Sequence, residues 1–119
     1  MNYLFLSRWF TYTNEAQTII MGVLPGPCLI LRPYLIVKTA FNGSGTDLIQ
    51  IGTSVDPDAF GTAQDVSATI TDPTLFGAGV GLGYRAAGTK VQATYTRSGT
   101  APTTGEALLI LPFIRVPLL

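Results

Sequence analysis

Four aspartates, Asp56, Asp58, Asp65 and Asp72, form the densest run of groups able to do chemistry in this chain. Carboxylates brought together can bind calcium or serve as the acid and base of a glycosidase. The spacing does not match an EF-hand loop, whose ligands recur at alternate positions and end on a glutamate. A glycosidase pair would depend on proximity in space, which spacing alone does not reveal. Each aspartate also has an ordinary structural reading. Asp56 before Pro57 suits the cap of a short helix. Asp65 lies near a strand start, and Asp72 before Pro73 suits a turn.

Other catalytic sets are excluded more firmly. The chain has no histidine, which removes Ser-His-Asp and Cys-His machinery. Zinc would have to rely on one cysteine and carboxylates, a poor donor set. That cysteine, Cys28, lies in an apolar run and is expected to be a buried thiol, with no intrachain disulfide possible. The glycines of residues 77–83 are spaced G-x-G-x-G-x-G, not G-x-G-x-x-G, and no phosphate-loop lysine follows. They predict either a strand with one face of bare backbone, suited to close approach of another chain or sheet, or a loop tip. Arg85, Lys90 and Arg97 read as a solvated face. Asn42-Gly43-Ser44 matches a glycosylation sequon without a secretory context. Trp9, Phe10 and Tyr12 can stack on sugars or pack in a core. No enzyme, metal or cofactor is expected.

Composition points to assembly. Only 12% of the 119 residues are charged, with seven acidic and seven basic side chains and no net charge. Soluble domains average about 25% charged residues. So few ions leave apolar surface that neighbouring chains would cover; a monomer coated by threonine and serine is the alternative. A neutral balance argues against nucleic-acid binding. The longest apolar stretch, residues 18–37, contains Pro25, Pro27, Arg32 and Pro33 and cannot be an ordinary membrane helix. The opening residues lack the basic start of a signal peptide. Synthesis and residence in a cytosol, or packaging into a particle built there, is the expectation.

The elements that must position these residues are strands. Residues 2–13 alternate aromatic, aliphatic and polar side chains, predicting a strand tied into a sheet or an arm reaching a neighbour. Residues 18–24 form a second strand, stopped by Pro25-Gly26-Pro27. Residues 28–41 form a third, with a bulge or edge expected at Pro33. Residues 34–51 predict a hairpin turning at Asn42-Gly43-Ser44-Gly45, and residues 58–64 one or two helical turns. Residues 66–71 alternate as a strand ending at Asp72-Pro73, and residues 90–97 as a half-exposed strand. In residues 106–116, the run 107–111 is apolar on both faces, marking a central strand or an interface. The sum is all-β: a single-domain, jelly-roll-like β-sandwich over residues 1–119, with about eight strands and one short helical turn.

The segments LRPYLIVKTAFNGSGTDLIQIGTSVDPDAF and VQATYTRSGTAPTTGEALLILPFIRV resemble small structural proteins of tailed bacteriophages. The likeness rests on Thr39-Ala40-Phe41-Asn42, residues 51–60, 91–96 and 105–116, and spans residues 17–116. Residues 1–14, the N-terminal strand or arm, lie outside it. The resemblance implies a capsid decoration or cement protein, made in the host bacterial cytoplasm and carried on the capsid exterior. It would be a homo-oligomer, a trimer, holding the major capsid protein, with no nucleic-acid or membrane partner. Leu4, Phe5, Trp9, Phe10, Ile114, Val116, Leu118 and Leu119 are the candidate contacts. The alternative is a fibre, tail or head-fibre domain recognising host surface carbohydrate.

Overall fold

The computed structural model describes residues 3–14 and 18–116. Among them the strands are β1 (Tyr3–Thr11), β2 (Thr18–Val23), β3 (Cys28–Ile30), β4 (Tyr34–Thr39), β5 (Asp47–Gly52), β6 (Gly61–Asp65), β7 (Ile70–Leu75), β8 (Gly77–Ala78), β9 (Gly83–Arg85), β10 (Lys90–Arg97) and β11 (Glu106–Arg115). They form two antiparallel sheets with a shared core, a β-sandwich. In the first sheet β11 is the spine. One of its edges pairs with β1 from Thr11↔Glu106 to Tyr3↔Ile114. Its other edge pairs with β4 and then β3, which lie end to end, flanked by β7 and β9. The second sheet runs β2-β10-β5-β6-β8.

Side-chain alternation explains why the sheets face each other. Along β11, Ala107, Leu109, Leu111 and Phe113 are buried, whereas Leu108, Ile110 and Ile114 are half-buried on the far side. Along β10, Val91, Ala93 and Tyr95 are buried, while Gln92 and Thr94 alternate with them. Period-two patterns of this kind turn one face of each sheet into the core. At one end of the sandwich, the rings of Phe10, Phe41 and Tyr95 pack with centroids 5.5–6.4 Å apart.

Several local expectations are corrected. The stretch 34–51 is not a hairpin, because β4 and β5 belong to different sheets. The turn between them crosses the sandwich and binds a second crossing loop. Asn42 Oδ1 accepts from the amides of Thr103 and Thr104, and the Thr100 amide donates to Ser44 Oγ at 2.8 Å. Long-range pairing to β11 and to β10 outweighs the local turn signal. No helix follows Pro57. The Ala59 amide bonds to the Asp56 carbonyl at 3.1 Å to close a single turn, and Phe60 then donates to Ile51 O at 3.0 Å, passing the chain into β6. The helical turn among the described residues is a 3-10 turn at Tyr12–Asn14.

Proline placement is corrected too. Pro73 does not end a strand but lies within β7. That strand pairs with β4 through a register shift that leaves residues 71–73 without partners, so the missing N–H falls at a bulge of an edge strand. At Pro33 the long third strand does break, into β3 and β4. The glycine stretch divides between β8, a turn and β9. A Cβ on Gly79 would collide with the Ala59 carbonyl, so the close approach is to this chain's own backbone.

Gly105 is a second point of close approach. It has φ of 152°, and a Cβ there would lie 2.5 Å from the Phe41 ring. Gly105→Ala is therefore expected to destabilise the fold by about 2 kcal/mol through backbone strain and displacement of Phe41. A urea melt checks it; an unchanged midpoint would show that the loop absorbs the methyl group.

Candidate assembly surface

The groups singled out for chemistry do not converge. Among the described residues no three His, Cys, Asp or Glu side chains come together. Cys28 is fully buried, its thiol donating to the Gly26 carbonyl at 2.9 Å. Asp65 accepts from the Ser67 amide at 2.8 Å and the Ser67 hydroxyl at 2.6 Å, a local turn. Arg85 lies 5.1 Å from the Phe60 ring centroid and donates to the Gly81 carbonyl, whereas Lys90 and Arg97 stand at opposite ends of β10. The three cations form no patch.

Two carboxyls are shifted in opposite directions. The Ser67 hydroxyl and amide hold Asp65 below the ordinary aspartate value of 3.8. The hydrogen bond that the protonated Asp56 donates to the Asp58 side chain, with desolvation and the like charge of Asp58, pushes Asp56 above it. The Asp65 turn therefore contributes stability that is present above 3.8 and lost as pH falls through its lowered value. The Asp56 contribution has the opposite sign: present below 3.8, lost as pH rises through its raised value. An NMR titration should give a lower midpoint for Asp65 than for Asp56, and Ser67→Ala should move the Asp65 midpoint upward. Equal midpoints would contradict both assignments.

What the fold does bring together is the outward face of the first sheet. Strand pairing sets its side chains in rows: Trp9 beside Leu108 and Ile36, Ser7 beside Ile110, Tyr34 and Leu75, and Leu29 between Ile114 and Tyr84. Phe5 is 62% exposed, Trp9 47% and Tyr84 62%, with Leu29, Tyr34 and Leu75 also exposed. Two hollows open on this face on either side of Phe5. One, of about 370 Å³, is lined by Phe5, Leu31, Arg32, Tyr34, Leu75 and Pro112. The other, of about 240 Å³, is lined by Phe5, Ser7, Leu108 and Ile110. The rims carry Lys38 and Arg32, and at one end Glu106, which accepts from the Thr39 hydroxyl at 3.0 Å.

The sequence-predicted contacts fall into four groups. Phe5, Trp9 and Ile114 lie on this face. Leu4 is half-buried against the core, and Phe10 is wholly inside it, because both point inward from β1. Val116 follows β11, half-buried, its amide bonded to the Pro27 carbonyl at 2.9 Å. Leu118 and Leu119 lie outside the described residues. The prediction missed Leu29, Tyr34, Leu75, Tyr84, Leu108 and Ile110. Apolar residues on both faces of 34–41 and 107–111 were the signal that could have found Tyr34, Leu108 and Ile110.

A second, more polar feature sits at the end of the first sheet. Tyr12, Thr13, Thr39, Thr103, Thr104 and Glu106 help line an open cleft of about 470 Å³.

The fold is an all-β sandwich whose first sheet leaves apolar side chains exposed on its outward face. No family model and no curated protein sequence matches it. Its fold is similar to that of a chain in the "Cyanophage Pam1 capsid asymmetric unit", with a TM-score of 0.69 at 16% identity, covering 97% of this chain and 84% of that one.

Proposed function

We propose that this protein is a structural component of a tailed-phage capsid, specifically a decoration or cement protein on the outer head surface. The observation that carries the reading is the likeness of nearly the whole chain to a chain from a capsid. The broad apolar sheet face supports it, since such a surface needs a partner in water. The strand order supports it as well. With β3 and β4 taken as one interrupted strand, β1-β11-(β3, β4)-β7 over β2-β10-β5-β6 is a jelly-roll winding. The protein acts passively and catalyses nothing. As a homo-oligomer it clamps neighbouring major capsid subunits, and repeated weak contacts over a lattice add avidity.

Cryo-electron microscopy of the virion tests this, together with the heat stability of particles lacking the protein. Density for this sandwich on the head exterior, and weaker particles without it, are the expected results. Its absence from the head defeats the proposal. The threonine-lined cleft favours a second reading, a fibre or tail domain that binds host carbohydrate, because Tyr12 and Glu106 offer a ring and a carboxylate beside several hydroxyls. Glycan-array binding that Tyr12→Ala removes would favour it.

A further inference from the structure

We infer that the outward face of the first sheet is covered by another copy of this chain. This rests on the assembly half of the proposed function and names the surface that serves it.

Shape is the first argument. Phe5 protrudes between two apolar hollows of its own face. A patch that carries both a protruding ring and recesses of matching chemistry is complementary to a second copy of itself. Aromatic anchors seated in apolar recesses are also where binding energy concentrates.

Area is the second. The ten residues of β11 span about 33 Å, and four ribbons of strand at about 4.8 Å spacing give a face of roughly 600 Å². Stable interfaces begin near 600 Å² on each partner, about 1,200 Å² in total. The face alone reaches that threshold, and the large side chains exposed on it, Phe5, Trp9, Leu29, Tyr34, Leu75 and Tyr84, are apolar or aromatic.

Charge is the third. With seven positive and seven negative side chains the chain is neutral, so copies do not repel one another. The edges point the same way. Arg8 turns from β1 to donate to the Ile20 carbonyl of β2 at 2.8 Å. This inward charge occupies the border where β1 and β2 could otherwise accept a foreign strand. That border is therefore a poor place for a second copy to add a strand, which favours docking on the face.

The test is the solution mass of the purified full chain, with no capsid present, at micromolar concentration. The wild type should sediment as an oligomer. Phe5→Asp, on the edge strand β1 beside both hollows, and Tyr84→Asp, on β9 at the opposite edge of the face, should each weaken association about thirtyfold or more. Val80→Asp, 94% exposed on the glycine turn away from the face, should leave the mass unchanged. Circular dichroism confirms folding, and Tyr84→Asp decides the question should Phe5→Asp not fold. A monomeric wild type, or face variants that keep the wild-type mass, overturns the inference. Because no capsid takes part, that failure leaves head binding to be judged separately by microscopy.

Discussion

Phe10→Ala is expected to remove about 3–5 kcal/mol of folding stability, the range for truncating a fully buried phenylalanine. Phe10 is 0% exposed. Its ring stacks on Tyr95 at 6.1 Å and meets Phe41 at 6.4 Å. Phe10 comes from β1 in the first sheet and Tyr95 from β10 in the second, so the contact joins the two layers. Removing the ring forfeits its transfer energy and opens a cavity that neighbours fill only in part. Domains of this size have about 5–15 kcal/mol to lose in total. Guanidinium unfolding measures the loss, and Val80→Ser, on an exposed turn, should stay within about 0.5 kcal/mol as a control. A loss below about 1 kcal/mol for Phe10→Ala would mean that the sheets repack around the gap.

Tyr95→Phe should be nearly as damaging, at about 3 kcal/mol, although it deletes one oxygen. The Tyr95 hydroxyl donates to Oδ1 of Asp47, the buried charged side chain among the described residues. Asp47 Oδ2 has no hydrogen-bond partner among those residues. Losing the hydroxyl leaves the buried carboxyl less satisfied, and the cost of an unmade bond in a buried site exceeds the net gain of a made one. A double-mutant cycle separates this from lost packing. Combining Tyr95→Phe with Asp47→Leu should cost less than the sum of the single changes, with a coupling of about 1–3 kcal/mol. Strict additivity would show that the pair does not interact in the folded state.

Asp47 also shows where sequence reading stops. In the chain it sits between Thr46 and Leu48 at the start of a strand, where a carboxylate is ordinarily solvated. Its burial follows from Tyr95, 48 positions later and across a strand pair. Nothing local records such a contact. The 34–51 stretch fails for the same reason: an Asn-Gly-rich turn between two apolar runs is a sound hairpin signal, yet distant strands claim both arms. Where the burial pattern is local the reading holds, as for residues 90–97 and β10, or the buried thiol of Cys28.

The sequence by itself determined that the protein is all-β and sparse in charge, and it offered the N-terminal segment as a sheet strand or an arm. Strand-length alternation and composition are properties of neighbouring residues and need no partner to be read. Only the tertiary structure decided that Phe5 and Trp9 look outward while Phe10 looks inward. It alone placed Tyr34, Leu29 and Tyr84 beside them to make one continuous apolar face. A strand's alternation says that its two faces differ, but which one meets the core depends on the sheet packed opposite, and that is set by pairings between residues far apart in the chain.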